Sequence, residues 1–402
     1  MKKILLRIIF LLFFPLIFIF NKLINFNNIK ISILDPKFGQ TLRFIEGYLV
    51  SKKYYDFQEL KNIKIIFFLN FDECNSQIRK MISKKVKVFN LNFFFKTIFY
   101  FFNLYKNQNI FIDISKKYPL KMLMLKQKKN PYNLYKKNFI DFSENEIKIG
   151  KNFLQKFNLK EEHKWICIAN RDQNFKKEKF KNFDWNYHKY RNFSVLDFNE
   201  AVEKFTKKGF YVFRMGHFPE EKFDLKNEMV IDYASSDLKN DFLDVFLLRY
   251  CKFYFGGDTG PSDIAFNFMK PAYGVNFSST LIDSGRSHLP WLFTIKRIKN
   301  LKNGKFLSLR EILSSNFASS YKYEEFLNSN VKPISNNRKE ISDFAEEVLK
   351  DLGNENYETN EDLSNQKKFW EIYYNYVPKS KMGQVQPKIS PCFLRNNTDL
   401  LN

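Results

Sequence analysis

The sequence predicts an α/β fold made of two successive units, each with a parallel sheet. Short apolar runs of strand length alternate with amphipathic runs of helical spacing, and the alternation restarts once along the chain. The length of 402 residues suffices for two ordinary domains. A composition of 44% hydrophobic and 27% charged residues is typical of a globular chain.

The first unit is predicted from four strand-like runs with helical patterns between them. The predicted strands are Ile29–Leu34, Lys64–Leu69, Lys85–Phe89 and Asn109–Ile114. Helical spacing predicts a helix from Gly39 to Val50, and the polar stretch from Lys126 to Tyr135 predicts the start of the crossing between domains. Ser143, followed three residues later by Glu146, predicts the N-cap of a helix that reaches Phe157.

The second unit repeats the pattern and ends in a helical region. Its predicted strands are Lys164–Ala169, Tyr211–Met215, Glu228–Ile231, Lys252–Phe255 and a run that ends at Asn276. Helices are predicted over Val195–Lys207, Lys239–Arg249 and Glu340–Leu352. The long polar loop from Asn170 to Phe193 is of a size that is usually functional or disordered. The polar stretch from Asn354 to Lys367 predicts a linker.

A hydrophobic segment precedes both units. Lys2, Lys3 and Arg7 come before an unbroken apolar run from Ile8 to Phe20. Counted from Ile4, the apolar stretch is barely long enough to span a bilayer core of about 30 Å, and no small-residue cleavage site follows it. We expect a retained anchor that has its N-terminus in the cytoplasm and dips into the membrane rather than crossing it. A short helix lying in the membrane interface is the alternative.

The stretch from Phe255 to Ala265 is the most informative for function. A short strand runs into two glycines, which are followed by Asp258, Thr259, Gly260 and Pro261. Pro261 suits the first position of a helix, and Thr259 or Gly260 suits its N-cap. The free N–H groups and the dipole of such a helix attract phosphate. In open α/β sheets this edge is where ligands bind. Close packing of strand and helix is the alternative use of the glycines.

Arginines follow two further predicted strands. Arg171 and Asp172 follow the strand that ends at Ala169, and Arg214 and Gly216 end the next one. The guanidinium fork binds phosphate oxygens through two hydrogen bonds. Because parallel strands end at one edge of a sheet, we expect both arginines to face the Gly-rich turn. A surface salt bridge is the alternative for the Arg171–Asp172 pair.

The Gly-rich turn also carries a family resemblance. The turn, its helix, Lys270-Pro271-Ala272 and the strand to Asn276 resemble the donor-site motif of heptosyltransferases, which are glycosyltransferases of the two-Rossmann GT-B architecture. Further segments resemble a bacterial family of glycosyltransferases linked to surface-carbohydrate synthesis. These segments are Tyr190–Asn192, Lys208–Gly216, Ile231–Tyr233 and Asp241–Asp244. The resemblance covers residues 165–276 well and residues 389–394 weakly.

The resemblance implies two Rossmann-like domains that face each other across a cleft. With the hydrophobic segment, four parts are expected: a membrane anchor at 1–26, an acceptor domain at 27–142, a nucleotide-sugar domain at 143–310, and a helical C-terminal extension at 311–402 that packs back on the domains. The partners implied are a nucleotide-sugar donor and a glycan or lipid-linked acceptor. The catalytic body is expected at the cytoplasmic face of the inner membrane.

Site residues follow from the motifs and the resemblance together. The expected donor-binding residues are Arg171, Asp172, Arg191, Asn192, Arg214, Gly216, Tyr233, Gly256, Gly257, Asp258, Thr259, Gly260 and Asn276. Inverting GT-B enzymes often take their catalytic base from the loop after the first strand. This chain has Gln40 where the heptosyltransferase pattern has an acid, so Asp35 is the nearest candidate. A simple turn residue before Pro36 is the alternative for Asp35.

Charge and cysteine usage narrow the classes of partner. The formal net charge is +23, but no arginine-rich tract or zinc-finger spacing supports nucleic-acid binding, and AT-rich codon bias accounts for part of the Lys excess. An anionic membrane surface and an anionic nucleotide-sugar are the favoured partners. The four scattered cysteines indicate a reducing compartment. The lack of any Asp-x-Asp pair argues against the single-Rossmann glycosyltransferases, which commonly hold a divalent metal with that pair, and no metal or other cofactor is expected.

A rival interpretation is a non-catalytic, membrane-anchored module that binds a nucleotide-sugar or glycan. Gln40 in place of an acid favours it, whereas the arginines and the intact Gly-rich turn favour an enzyme.

Overall fold

The computed structural model divides into two compact units, residues 1–142 and 143–402. It describes residues 28–34, 38–54, 63–69, 75–92, 111–114, 139–179, 184–223, 225–278, 291–318, 322–378 and 386–402, and the positions Pro15, Phe18, Ile19, Lys22, Phe95, Lys96, Phe99 and Ser320. The predicted anchor lies almost wholly outside these residues, and so does Asp35. Among the residues described, no helix is long and apolar enough to cross a membrane.

The first unit contains a three-stranded parallel sheet. Its strands are β1 (Ile29–Leu34), β2 (Lys64–Leu69) and β3 (Val88–Asn90), in that order. Two helices, α1 (Gln40–Tyr54) and α2 (Ser76–Ser83), follow β1 and β2. Apolar side chains of α1 and β2 meet in the interior, where Tyr48 packs edge-on against Phe67. Where Asn109–Ile114 was predicted as a strand, the described residues make one isolated bridge between Ile31 and Phe111.

The second unit is built on a seven-stranded parallel sheet with the strand order β12–β9–β8–β7–β4–β5–β6. A separate antiparallel pair, β10 and β11, follows β9 along the chain. The strands are β4 (Lys164–Ala169), β5 (Phe210–Arg214), β6 (Val230–Ile231), β7 (Tyr254–Gly256), β8 (Ala272–Phe277), β9 (Leu292–Ile295), β10 (Arg297–Asn300), β11 (Val331–Ile334) and β12 (Lys388–Ile389).

Helices cover the sheet of the second unit. They are α3 (Glu144–Leu154), α4 (Asn174–Lys179), α5 (Asn199–Lys207), α6 (Asp241–Tyr250), α7 (Gly260–Asn267), α8 (Leu309–Ser314), α9 (Tyr323–Asn328), α10 (Arg338–Leu352), α11 (Asn360–Tyr376) and α12 (Pro391–Asn396). On one face, α5 and α10 bury Phe205 and Phe344 against Phe255 of β7. Neighbouring residues of a strand face opposite sides, so Phe213 of β5 faces the other layer and contacts Phe157 beyond α3.

The start of one helix and the end of another follow directly from the sequence. Ser143 accepts from the Glu146 N–H while the Glu146 carboxylate accepts from the Ser143 N–H, so the predicted capping box is confirmed. Gly209, just past α5, has φ of +82°, a conformation that glycine adopts at no steric cost. The capping box satisfies backbone donors at the helix start that would otherwise lack partners.

The region after residue 309 differs from the prediction in two respects. It is not wholly helical, because it contributes β11 and β12. The predicted linker at Asn354–Lys367 instead contains the start of α11, which a capping box of Thr359 and Asp362 fixes. The polar first turns of α11 hid the helix in the sequence, whereas its buried residues, such as Trp370 and Tyr373, lie further along.

Candidate functional site

The candidate site lies at the carboxyl ends of β4 and β7, where the strand order reverses. From β4, the chain extends the sheet on one side through β5 and β6, and then returns to add β7, β8 and β9 on the other side. Ala169, the last residue of β4, pairs with Gly256, the last residue of β7. The loops that follow these two strands therefore start side by side. In open α/β sheets such a reversal opens the crevice that binds ligands.

Close packing explains two of the glycines in the turn. A Cβ on Gly256 would lie 2.3 Å from the carbonyl oxygen of Ala169, and a Cβ on Gly257 would lie 2.8 Å from the Phe193 ring. The Gly257 N–H also donates to the Ala169 carbonyl at 2.9 Å. These glycines bring the β7 turn against the end of β4, so packing is at least part of their role.

The turn leads directly into helix α7. Thr259, one of the two residues predicted for the N-cap, is the N-cap, and Pro261 is the second helical residue, one position later than predicted. The Thr259 N–H donates to the Ser262 hydroxyl at 3.1 Å, and Tyr254 donates to the Gly257 carbonyl at 2.8 Å. Because side chains and backbone hold both ends of the turn, Asp258 and Gly260 sit in a preorganised loop at the positive end of the helix.

Arg191 is brought to this turn from the long loop after β4. It ends a 3₁₀ helix, Asn186–Arg191, and its guanidinium donates to the carbonyl oxygen of Asp258 at 2.6 Å. The same nitrogen makes an ion pair with the Asp258 carboxylate. Both side chains keep part of their surface exposed. One of the expected donor-binding residues thus touches the Gly-rich turn, with an internal carboxylate as its present partner.

Arg171 is a half-buried cation at the end of β4. Its Nε is buried and has no hydrogen-bond partner within the described part of the chain. Burial lowers the pKa of Arg171 to about 10, with repulsion from Arg191 acting in the same direction and attraction to Asp258 acting against it. The arginine stays charged at neutral pH with part of its hydrogen-bonding capacity unused, which is the state expected of a group that awaits an anion.

The electrostatic field of this region is positive. Burial, followed by repulsion from Lys176, Arg171 and Arg191, lowers the pKa of His188 to about 3. The imidazole is therefore neutral at physiological pH, and its Nδ1 is buried without a partner among the described residues. Asp258 is the acid that attracts Arg171, Arg191 and the imidazolium form of His188.

Asp172 and Asn192 lie next to these arginines and serve the loop. The Asp172 carboxylate accepts from the backbone N–H groups of Asn174 at 3.2 Å and Glu220 at 3.5 Å, and burial raises its pKa. The Asn192 side-chain oxygen is buried without a partner in the described structure. Its backbone carbonyl accepts a hydrogen bond of 2.6 Å from Lys296. Both residues shape the loop that carries the arginines.

Lys296 is a buried lysine beside the site, and it was not predicted as a site residue. It lies between β9 and β10, is 3% exposed, and lines a narrow crevice with Tyr190, Arg191, Ser278, Ile298 and Pro333. Burial lowers its pKa to about 7. In a chain with 66 basic residues, one lysine at a strand end carries no distinguishing signal. The largely apolar run Leu292–Ile295 before it is the one sequence feature that could have indicated a strand end at this lysine.

Arg214 does not face the Gly-rich turn, contrary to the prediction. Its side chain is 1% exposed and pairs with Asp232 at 3.1 Å, on the β6 side of the sheet. A second nitrogen donates to the Asn170 side chain at 3.4 Å. Gly216 follows with φ of +152°. Arg214 does lie at the end of its strand, as predicted. The position of a strand end does not determine which neighbour a long side chain pairs with.

Tyr233 and Asn276 are also placed differently from the expected nucleotide contacts. Tyr233 is fully buried, and its hydroxyl exchanges hydrogen bonds of 3.1 Å with the backbone of Asn240. Asn276 is buried at an irregularity between β8 and β9, with φ of +59°, and its side chain accepts from the Asn336 N–H at 2.6 Å. Both residues fix the backbone near the edge of the sheet.

Comparisons with known proteins add similarity only. No family model and no curated protein matches the sequence. Among solved structures, the chain is similar to a family 9 glycosyl transferase from Veillonella parvula (9% identity, TM-score 0.34, 62% of this chain and 80% of that one). It is also similar to ADP-heptose LPS heptosyltransferase II from E. coli (13%, 0.32, 61% and 84%). A third is a proposed UDP-N-acetylglucosamine 2-epimerase from Listeria monocytogenes (9%, 0.30, 81% and 96%). Such TM-scores and identities establish no shared activity.

Proposed function

We propose that this chain is a glycosyltransferase. It would move a sugar from a nucleotide-sugar donor to a cell-surface glycan or lipid-linked acceptor, without a catalytic metal ion. The observation that carries this proposal is the contact of Arg191 with the Gly-rich turn that begins α7, with Arg171 following β4, the strand whose end pairs with Gly256 of the turn. The sugar-transfer part is supported by the likeness of that turn's sequence to the heptosyltransferase motif.

The arrangement suits a diphosphate leaving group. A nucleotide-sugar binds through a diphosphate, and negative charge grows on that group as the glycosidic bond breaks. Cations fixed nearby stabilise the transition state more than the ground state. Arg191 would exchange its internal partner Asp258 for the diphosphate, and the released carboxylate could then accept hydrogen bonds from sugar hydroxyls. The Nε of Arg171, which lacks a partner among the described residues, would donate to the diphosphate.

A panel of nucleotides tests the proposal. Thermal unfolding would be followed with ADP, UDP, GDP and CDP, the matching monophosphates, and their commercial sugar conjugates. A diphosphate present at a hundred times its Kd should stabilise the protein by about 2.7 kcal/mol, and Arg191→Met should remove most of that gain. Arg310→Met, at an exposed position on α8, is the matched control. No response to any nucleotide diphosphate would contradict the proposal.

A non-catalytic binding module remains the second candidate, because Gln40 begins α1 where the related pattern has an acid. Release of free sugar from the donor by purified protein separates the two. Binding without release, also in the presence of lipid-linked acceptors, would favour the module. Asp35→Asn tests the proposed base, since an active enzyme should lose most of its turnover and keep its donor affinity.

We also propose that the protein works at the cytoplasmic face of an anionic membrane. Residues 1–142 carry 26 Lys and Arg against 8 Asp and Glu, whereas residues 143–402 carry 40 against 35. Codon bias toward Lys would act on both units, but the first unit differs mainly by having few acids. Deleting residues 1–27 should release the protein from membranes after a high-salt wash. Continued membrane binding would refute the anchor, and unfolding would show that the segment belongs to the core.

A further inference from the structure

The segment Arg191–Phe193 is tied to the rest of the second unit at several points. The Phe193 N–H donates to the Arg171 carbonyl at 3.2 Å, and the Asn170 side chain donates to the Phe193 carbonyl at 3.0 Å. These contacts come from the start of the same loop. Lys296 supplies a tie from another part of the sheet, because its Nζ donates to the Asn192 carbonyl at 2.6 Å.

The Lys296 amine joins three elements at one point. Besides the Asn192 carbonyl, Nζ donates to the Ser335 hydroxyl at 3.0 Å, just after β11. It also lies 5.8 Å from the centroid of the Phe193 ring. The lysine itself is anchored by its own backbone N–H, which donates to the Phe277 carbonyl at 2.8 Å. The ends of β8 and β11 and the arginine-bearing loop are thereby held to a common centre.

We propose that Lys296 is a positioning residue, whose amine fixes the Arg191–Phe193 segment and thereby aims the Arg191 guanidinium at the Gly-rich turn. The proposal uses the diphosphate site of the proposed function but concerns a residue outside it. The crevice at Lys296 is too narrow to hold a water molecule. A ligand at the turn would therefore meet Arg191, and Lys296 would act through the backbone between them.

The chemistry of the amine agrees with this role. The Asn192 carbonyl and the Ser335 hydroxyl both accept from Nζ, so two of its N–H donors have partners. Burial is the main cause that lowers the pKa of Lys296, and repulsion from Arg191 adds to it, while Asp197 opposes both. Because its pKa lies near 7, the amine places less charge beside Arg191 than an ordinary lysine would.

A double-mutant cycle tests whether Lys296 acts through Arg191. Affinity for the nucleotide diphosphate that stabilises the wild type best would be measured by calorimetry for Lys296→Met, Arg191→Met and the double variant. We expect Lys296→Met alone to lose about tenfold in affinity. In the Arg191→Met background the same change should cost almost nothing, because the group it aims is gone. Lys299→Met on β10, a partly exposed lysine three residues away, is the matched control and should bind like the wild type.

Amide hydrogen exchange of the ligand-free protein gives a readout that does not depend on any ligand. Lys296→Met should speed the exchange of the Asn192 and Phe193 amides at least tenfold and leave the β4 amides unchanged. If no nucleotide binds the wild type, the proposed function fails, and this exchange measurement still decides the positioning role. Additive affinity losses, or unchanged exchange at Asn192 and Phe193, would overturn the inference.

Ser335→Ala provides a second variant in case Lys296→Met does not fold. It removes one of the two acceptors and leaves the lysine in place. A smaller change in the same direction, with faster exchange at Asn192, supports the inference. Wild-type exchange at Asn192 together with wild-type affinity in Ser335→Ala would overturn it.

Discussion

Two arginines at neighbouring strand ends should respond in opposite ways to the same substitution. Arg171 is a half-buried cation with no ion pair to an acid within the described residues, and Arg214 is a fully buried cation paired with Asp232; the Nε of each lacks a hydrogen-bond partner there. Changing each to Met removes the charge and keeps much of the side-chain volume. We expect Arg171→Met to weaken diphosphate binding while the ligand-free protein becomes more stable. Arg214→Met should unfold easily.

The magnitudes follow from the environment of each charge. Lowering the pKa of Arg171 from 12.5 to about 10 corresponds to about 3 kcal/mol against the charged form. Since the group stays charged at neutral pH, the folded protein carries that cost, and a bound diphosphate would relieve it. Loss of a charge-assisted hydrogen bond of about 1.5–3 kcal/mol predicts a roughly ten- to hundredfold weaker affinity.

Arg214→Met leaves a partly buried carboxylate at Asp232 without its partner. Removing one member of a buried ion pair costs about 3–5 kcal/mol. In a domain of this size each kcal/mol shifts Tm by about 2–4 °C, so the two variants should separate clearly in a thermal scan.

Calorimetric titration with a nucleotide diphosphate, together with urea unfolding, measures both quantities on the same samples. Arg171→Lys should recover part of the affinity, because it keeps the charge and loses the fork. The reasoning would be refuted if Arg171→Met were destabilised as strongly as Arg214→Met and still bound the diphosphate with wild-type affinity.

Three further outcomes are expected. Gly256→Ala should destabilise the second unit strongly, because its Cβ would meet the Ala169 carbonyl at 2.3 Å, whereas Gly209→Ala, with open space around it, should cost only about 1 kcal/mol in urea unfolding. Burial raises the pKa of Glu347 to about 7; the folded state then binds the extra proton between pH 4.5 and 7, so stability falls as the pH rises through that range. Glu347→Gln should flatten this dependence, and an unchanged pH profile would contradict the argument. Asp258→Asn should tighten the binding of inorganic pyrophosphate severalfold by removing a negative charge from the site, which competition calorimetry can detect; weaker binding would show that the carboxylate is needed to place its arginine.

The sequence was sufficient to predict the strands with the clearest apolar runs and the turn between β7 and α7. β1, β2 and β4 have the bounds that the pattern predicted, since each is an apolar run of ordinary strand length. Thr259 and Pro261 fixed the helix start in the same way. Patterns of this kind depend only on neighbouring residues in the sequence, so they can be recognised without knowledge of the fold.

Long-range choices could not be predicted in this way. Nothing near Arg214 indicates that it pairs with Asp232, because the partner follows a different strand. β12 is two residues long and joins β9 across about a hundred residues of chain, so no periodicity could indicate it. Lys296 gains its unusual surroundings from loops that meet only in the folded unit.

The position of β12 at the edge of the seven-stranded sheet affects how the protein folds during synthesis. β12 pairs with β9, Arg297 is held by Asn397 and Asp399, and Leu400 and Leu401 are buried. On a ribosome, residues 388–401 emerge after every other strand of this sheet, because β12 follows those strands in the chain. Until they arrive, the outer side of β9 is an open strand edge of the kind that recruits other chains. The second unit can therefore complete its sheet only after residues 388–401 have left the ribosome, and a chain that stalls before residue 388 would expose that edge to its neighbours.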